Sequence, residues 1–178
     1  MAGARERWYV VTGPPGCGKS TTVALLGQRG YRVRHEIARA YVDEEIAGGR
    51  TIGEIRSDMR RFQSEVLARA LASEAALPEE DLVFLDRGIP DSLAYFNLHG
   101  IPAEPYLGRI GSARYRRVFY LEPLDDYATD YARVESADER DRLARLLWAA
   151  YRDLRLPVER VPALASGTRV DYILARLG

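Results

Sequence analysis

Residues 13–20 combine glycines, a lysine and a hydroxyl at a spacing suited to binding phosphate. They read Gly13-Pro14-Pro15-Gly16-Cys17-Gly18-Lys19-Ser20 and match G-x-x-x-x-G-K-[ST] at every fixed position. Glycines let successive backbone N–H groups face a triphosphate, and the dipole of a following helix adds positive potential there. Lys19, the only lysine in the sequence, would reach the β- and γ-phosphates, and the Ser20 hydroxyl would ligate Mg²⁺. We predict a nucleotide site at Gly13, Pro14, Pro15, Gly16, Cys17, Gly18, Lys19, Ser20 and Thr21.

Charged residues follow two further predicted strands, and parallel strands bring their carboxyl ends to one edge of a sheet. Asp86 comes after four apolar residues, a position typical of the acid that supports Mg²⁺; a helix N-cap is the alternative. Arg87 could bind a phosphate or the acceptor, or be a surface arginine. Glu36 could accept a proton from an acceptor hydroxyl, or simply be a favourable acid in the first turn of a helix.

Four other residues are weaker candidates. Arg133 and Arg140, in a predicted lid at about residues 123–142, could neutralise charge on the γ-phosphate or belong to a solvated surface. Gln63 could contact a polar edge of the acceptor, although an exposed glutamine is common on a helix. Cys17 is more simply a small residue tolerated in the loop than a reactive thiol.

The elements that must position these residues alternate between strand and helix. Short apolar runs predict strands at residues 8–11, 31–35, 82–85, 118–121 and 158–161. Capping boxes at Thr51–Glu54 and Ser136–Glu139 predict the starts of two long helices, and Ser166 is predicted to cap the last one. The pattern predicts an α/β fold: a three-layer sandwich whose five-stranded parallel sheet has helices on both faces and the first strand at its centre.

Bulk composition restricts the class of protein. The 178 residues predict one domain, 1–178, with 47% hydrophobic and 29% charged residues. Because the formal net charge is zero, nothing favours a nucleic acid or an anionic membrane as partner. The single cysteine excludes an internal disulfide and fits a reducing compartment. Since no apolar run suits export or a membrane span, we expect a cytoplasmic protein.

Three segments together resemble a known family: residues 13–21, the stretch His35-Glu36-Ile37-Ala38-Arg39-Ala40-Tyr41-Val42, and Asp86-Arg87-Gly88-Ile89-Pro90-Asp91. They are similar to the AAA-type predicted-ATPase group of small P-loop proteins, which is related to the ribosylnicotinamide kinase domain of the bacterial NAD regulator. This resemblance implies the P-loop kinase fold, ATP and Mg²⁺, and it matches Glu36 to the general base of nucleoside kinases.

The Asp86-Arg87 pair, followed by a helix with Ala94-Tyr95, also resembles thymidylate kinases. The sequence departs from that pattern at Gly88, which replaces an aromatic residue, and at Asp91, which replaces a small hydroxyl residue. An added acid at Asp91 suits a polyhydroxylated or cationic acceptor better than a phosphorylated one.

We therefore predict an ATP-dependent phosphotransferase that acts on a hydroxyl of a small, nucleoside-like acceptor. Alternatives are a nucleoside monophosphate kinase, with Arg39, Arg60 and Arg61 available for a basic pocket, and a regulatory ATPase with a protein partner. The predicted catalytic residues are Lys19, Glu36, Asp86, Arg87 and Arg133. The predicted acceptor contacts are Glu36, Arg39, Gln63, Arg87 and Asp91, and the predicted metal ligands are Ser20 and Asp86.

Overall fold

The computed structural model describes residues 7–124 and 136–178. Its strands are β1 (Trp8–Thr12), β2 (Arg32–Arg34), β3 (Val83–Asp86), β4 (Arg117–Leu121) and β5 (Val158–Val161). Its helices are α1 (Lys19–Gln28), α2 (Ile37–Ala47), α3 (Ile52–Arg56), α4 (Met59–Ala75), α5 (Asp91–Leu98), α6 (Leu107–Ile110), α7 (Ala137–Asp153) and α8 (Ser166–Leu174). A 3₁₀ turn at Glu104–Tyr106 precedes α6. No helix among these residues is both long and apolar enough to cross a bilayer.

The five strands form one parallel sheet in the order β2-β3-β1-β4-β5. The prediction that the first strand lies at the centre is confirmed. Every residue of β1 and β3 is buried, as expected of parallel strands covered on both faces, whereas the edge strands β2 and β5 carry charged, partly exposed residues. The central strands therefore place their carboxyl ends, and the loops that follow them, at the middle of one sheet edge.

Helices cover both faces of the sheet, which confirms the predicted three layers. Alternate residues of β1 point to opposite sides: Tyr9 and Val11 pack with α1 and α8, while Trp8 and Val10 pack with α4, α5 and α7. Residues 125–135, which include most of the predicted lid and Arg133, lie outside the described residues.

Two predicted helix starts differ in the structure. The capping box at Thr51–Glu54 is present, but it begins the short helix α3 and not the long one. Asp58, with φ −121° and ψ 88°, interrupts the helix, and its carboxylate accepts a hydrogen bond from the Arg61 N–H at 2.9 Å. A second N-cap therefore starts α4 as a separate helix. Ser166 is the first residue of α8 and Ala165 is its N-cap, so the prediction of a serine cap there was wrong.

Candidate active site

The loop between β1 and α1 has the backbone conformation that its glycines predicted. Gly13, Gly16 and Gly18 have φ angles of 147°, 79° and 82°. A Cβ atom on Gly13 would lie 2.6 Å from the Leu121 carbonyl oxygen and 2.8 Å from Cys17 Sγ. Only glycine adopts these φ values without strain, and at Gly13 the end of β4 also leaves no room for a side chain. The loop is a narrow backbone cradle directly beyond the central strand.

Lys19 begins α1, and its side chain lies under this loop. Only 6% of the residue is exposed, and Nζ donates to the Pro14 carbonyl at 3.1 Å and lies 3.8 Å from Cys17 Sγ. Cys17 is fully buried, which supports its interpretation as a small packing residue. Ser20 and Thr21 are exposed in the first turn of α1 and line the same cavity as Lys19. The ammonium, a hydroxyl and the loop amides are thus available to one polyanionic ligand.

Asp86 ends β3 and pairs in register with Val11, two residues before the loop. It is 2% exposed, and within the described chain its Oδ1 atom has no hydrogen-bond partner. Burial and then the nearby charge of Glu36 raise the pKa of Asp86 to about 6, against the charges of Lys19 and Arg87. Pro90, not Asp86, is the N-cap of α5, so the N-cap alternative is wrong. An orphaned buried carboxylate beside a phosphate cradle fits a role in holding a cation.

The described residues contain no cluster of three or more His, Cys, Asp or Glu side chains suited to a metal ion. At phosphate sites Mg²⁺ usually takes only one or two protein ligands, because phosphates and waters complete the octahedron.

Asp86→Asn is expected to stabilise the protein more at pH 8 than at pH 4. Since the pKa of Asp86 is raised to about 6, the unfolded chain deprotonates first, and the folded state loses stability as the pH rises from about 4 through 6. At about 1.4 kcal/mol per pKa unit, the free energy of unfolding lost in this way approaches about 3 kcal/mol near neutral pH. The asparagine variant does not ionise and so does not suffer this loss. Urea unfolding at both pH values measures this difference, with exposed Asp153→Asn as the control. Equal effects of Asp86→Asn at both pH values would contradict the raised pKa.

Arg87 connects the strand ends that the sequence analysis grouped together. Its Nε donates to Glu36 Oε1 at 2.9 Å, its Nη1 donates to Asp91 Oδ1 at 2.9 Å, and its guanidinium lies 5.3 Å from the Tyr95 ring centroid. Only 12% of its side chain is exposed, so it is not a surface arginine. Its φ of 69° is unusual for a non-glycine residue. The hydrogen bonds to Glu36 and Asp91 hold the residue in this conformation.

Glu36 occupies the N-cap position of α2, yet its side chain makes no capping hydrogen bond. The carboxylate is paired with Arg87 instead and lines the cavity. Burial alone would raise the pKa of Glu36, but the charges of Arg87 and Lys19 together hold it below its usual value. Glu36 is therefore ionised near neutral pH, with one oxygen fixed by Arg87.

Asp91 is 4% exposed, and its carboxylate already has four donors within the protein. It accepts from Thr12 Oγ1 at 2.8 Å, from Arg87, from the Gly88 N–H at 3.1 Å, and from the Tyr151 hydroxyl. Asp91 lines the cavity, but an acceptor would have to displace one of these donors to bind it. Its evident role is to fix the turn that carries Arg87, so the departure from the thymidylate kinase pattern at this position has a structural cause.

Gly88→Ala is expected to destabilise the protein by about 1–3 kcal/mol through overpacking. A Cβ at Gly88 would lie 2.9 Å from the hydroxyls of both Tyr115 and Tyr151 and 3.0 Å from Val10 Cγ2. These hydroxyls accept hydrogen bonds from Ile89 and Gly88 and cannot move freely. Gly167→Ala is the matched control, since a Cβ there meets nothing within 4 Å and should be neutral or slightly stabilising. Chemical denaturation of both variants measures the difference, and equal stability would contradict the packing argument.

One cavity of about 420 Å³ joins the phosphate cradle to the Glu36–Arg87 pair and continues between α2, α3, α4 and α5. Its far part is mainly apolar and is lined by Ile37, Val42, Ile52, Met59, Phe62 and Val66. Gln63 and Arg39 also line it. Gln63 is 5% exposed and makes no hydrogen bond within the described chain, so the expectation of an exposed glutamine was wrong.

Three other arginines considered in the sequence lie outside the cavity lining. Arg60 and Arg61 are exposed and do not line the cavity, and neither does the partly buried Arg140. The cavity instead includes Arg34 and Arg56, which the sequence analysis did not identify. Arg34 Nη2 donates to the Arg87 carbonyl at 2.6 Å and lies 3.5 Å from Glu74 Oε1. No local motif marks such a residue, because its partners come from other elements.

This chain matches known proteins, in sequence and in fold, along almost all of its own length. A family model described as "AAA domain" matches residues 8–169. A UPF0200 protein of Saccharolobus islandicus is 27% identical over 93% of this chain and 81% of that protein.

Similar solved structures include a deoxyadenosine kinase from M. mycoides (TM-score 0.70, 15% identity, 96% of this chain and 98% of that one). A NadR protein in complex with NR has a TM-score of 0.74 and 21% identity over 96% of this chain, which spans 50% of the NadR chain. A thymidylate kinase from Ehrlichia chaffeensis has a TM-score of 0.68 and 12% identity, covering 97% of this chain and 98% of that one. At these identities the structures establish the fold, and they confirm the P-loop kinase architecture and both predicted resemblances. With the family match over residues 8–169, they show that this chain is a member of the AAA domain family with a P-loop kinase-like fold.

Proposed function

We propose that the protein is an ATP- and Mg²⁺-dependent phosphotransferase that transfers a phosphoryl group to a hydroxyl of a small, nucleoside-like acceptor. The observation that carries this proposal is the single cavity of about 420 Å³ that runs from the phosphate cradle past Glu36 and Arg87 into an apolar chamber. A nucleotide hydrolase has no need for an apolar extension of the cavity beside its phosphate site. A kinase does, because the acceptor hydroxyl must lie in line with the γ-phosphate.

The donor would be held by the loop amides and by Lys19, which begins the helix below them. Ser20 and Asp86 would hold Mg²⁺, which neutralises charge on the phosphates when bound. The unpartnered Oδ1 of Asp86 supports the metal assignment, and the positive φ angles of the cradle glycines support the phosphate assignment. Arg133, outside the described residues, is proposed to neutralise negative charge that develops on the transferred group.

Glu36 would accept the proton of the acceptor hydroxyl. Its ionised carboxylate lies at the junction of the two parts of the cavity, and the 2.9 Å hydrogen bond from Arg87 Nε fixes its orientation. Arg87 would act by holding that carboxylate beside the transferred phosphoryl group, since its own charge is paired with Glu36 and Asp91. Since phosphoryl transfer requires little covalent chemistry from the protein, these residues would act through positioning and electrostatics.

The chamber favours an uncharged acceptor that carries an apolar ring. Phe62, Met59 and Val66 offer apolar surface, and the buried amide of Gln63 offers a donor and an acceptor without partners in the described chain. Arg39, at the exposed mouth, is proposed to contact the acceptor's polar end.

A nucleoside monophosphate as acceptor would need, inside the chamber, a cationic side chain whose charge is not already neutralised by a carboxylate. The guanidinium of Arg87 is neutralised by Glu36 and Asp91, and that of Arg34 lies beside Glu74. The chamber is lined by Arg39 and Arg56 as well, and this keeps a monophosphate kinase as the second candidate.

ADP release from Mg·ATP, measured with a panel of nucleosides, nucleoside monophosphates and phosphate-free metabolites, tests the proposal. We expect acceleration by an uncharged ring-bearing acceptor and thermal stabilisation by Mg·ATP, because a ligand that binds only the folded state raises its stability. Acceleration by monophosphates alone would select the second candidate. A failure of millimolar Mg·ATP to stabilise the protein would reject nucleotide binding itself.

A further inference from the structure

Arg169, on α8, is among the largest fully buried side chains of the protein, with 1% of the residue exposed. Its guanidinium donates to three main-chain carbonyl groups. Nη1 bonds to Cys17 in the phosphate cradle, Nη2 to Glu122 beyond β4 at 2.7 Å, and Nε to Pro162 beyond β5 at 2.9 Å. One side chain thus ties the cradle to the ends of two neighbouring strands. No short motif identifies this residue, because Arg169 and Cys17 are 152 positions apart.

Among the described residues, the charge of Arg169 has no carboxylate partner. Within residues 7–124 and 136–178 no Asp or Glu oxygen lies within salt-bridge distance of its guanidinium. Burying a charge with only neutral acceptors is costly, and burial lowers the pKa of Arg169 although Cys17 and Glu122 oppose this effect. A polyanion bound in the cradle would supply the missing negative charge.

The contact with Cys17 also acts on the cradle directly. The Cys17 carbonyl and the Gly18 N–H belong to the same planar peptide group, and Gly18 lines the cavity. A charged donor on the carbonyl polarises the peptide and strengthens its N–H as a donor. Contact is close here, since a Cβ on Gly18 would lie 3.4 Å from Arg169 Nη1.

We propose that Arg169 is a positioning residue for the phosphate cradle: it holds the loop through the Cys17 carbonyl. Its positive charge, which no carboxylate of the described residues pairs with, lies behind the loop and strengthens polyphosphate binding. The inference rests on the proposed function in assuming that the cradle binds a nucleoside triphosphate. Lysine could keep the charge, but it could not hold three divergent carbonyls with a planar fork.

Titration calorimetry of the full chain with inorganic tripolyphosphate, which has neither a base nor an acceptor group, tests this role. Arg169→Gln is expected to raise Kd about 10- to 100-fold, the range for losing a hydrogen bond to a charged group. It should also weaken the dependence of Kd on salt, because a charge near the ligand is lost. Arg169→Lys should raise Kd less and keep the salt dependence, which a purely structural role would not predict.

Arg176→Gln is the matched control, because Arg176 lies just beyond the same helix and pairs with Glu159 at the surface. It should leave Kd within about twofold of the parent. A folded Arg169→Gln variant with the parent's Kd overturns the inference. If Arg169→Gln does not fold, the Kd of Arg169→Lys for tripolyphosphate is the test. A Kd equal to the parent's in that variant also overturns the inference. The inference is supported if the parent binds tripolyphosphate and Arg169→Gln does not. If the parent binds neither tripolyphosphate nor Mg·ATP, both the proposed function and the inference are rejected.

Discussion

Lys19→Ala is expected to lower ATP turnover by at least about 10²–10³-fold, the usual cost of removing one preorganised group that stabilises charge in a transition state. Lys19 is 6% exposed, and among the described residues its one strong hydrogen bond goes to the Pro14 carbonyl at 3.1 Å. Its removal should therefore cost no more than about 1 kcal/mol of stability, the value of one ordinary hydrogen bond. Steady-state ADP release and urea unfolding measure the two effects separately.

Arg29→Ala is the control for Lys19→Ala, since Arg29 caps the other end of α1 and pairs with exposed Asp171. It should leave turnover unchanged. The sequence also allows an independent test, because Lys19 is its only lysine. An amine-reactive reagent should label Lys19 more slowly in the presence of Mg·ATP, with the terminal amino group as internal standard. Equal labelling with and without nucleotide would place Lys19 outside the nucleotide site.

The sequence was most informative where a site is built from contiguous residues or from strand ends. The cradle is one uninterrupted motif, and its backbone angles follow from its glycines. Glu36 and Asp86 were grouped because parallel strands share an edge, and the charge of Glu36 does contribute to the raised pKa of Asp86. The central position of β1 was predicted from the phosphate-loop motif together with five strands alternating with helices.

Roles that depend on distant partners could not be predicted. Asp91 was interpreted as an acceptor contact, but its carboxylate is used by Tyr151, 60 positions away, and by Thr12, 79 positions away. Gln63 of α4 was predicted as an acceptor contact, with an exposed helical glutamine as the alternative, and the structure buries it. That helix packs against both α2 and α5, so more of its circumference is buried than one stripe requires.

The break before α4 has a similar explanation. Helical periodicity continues from residue 51 to residue 75, and the pattern alone gives no reason for two helices. Aspartate is a favourable N-cap residue, but only the hydrogen bond from the Arg61 N–H to the Asp58 carboxylate identifies Asp58 as a cap. The break matters for the site, because α3 contributes Ile52 and Arg56 to the chamber.

Glu36→Gln is expected to lower phosphoryl transfer to the acceptor by about 10²–10⁴-fold, the usual contribution of a general base. Glutamine keeps the shape and one oxygen that can accept from Arg87 Nε, now 2.9 Å from Glu36 Oε1, and removes only the proton acceptor. ATP binding and slow background hydrolysis should remain near the parent's values. Coupled assays with and without the acceptor measure both activities.

Asp86→Asn is the comparison that separates the two carboxylates. If Asp86 holds the metal, its replacement should impair background hydrolysis as well as transfer and should raise the Mg²⁺ concentration needed for half-maximal rate. Glu36→Gln should change neither that concentration nor hydrolysis. Identical profiles for the two variants would contradict the division of roles.

Transfer at the parent's rate by Glu36→Gln would assign the base to another group, and the structure already orders the candidates. Asp91 is a poor one, because four donors occupy its carboxylate. Asp86 is the better one, since its Oδ1 is unpartnered within the described chain and its pKa of about 6 suits proton transfer near neutral pH. Glu36 has a pKa held below its usual value and is the weaker base, but it lies where the two parts of the cavity meet. Because geometry precedes basicity when little negative charge develops on the acceptor oxygen, we expect Glu36 to be the base and Asp86 the metal ligand.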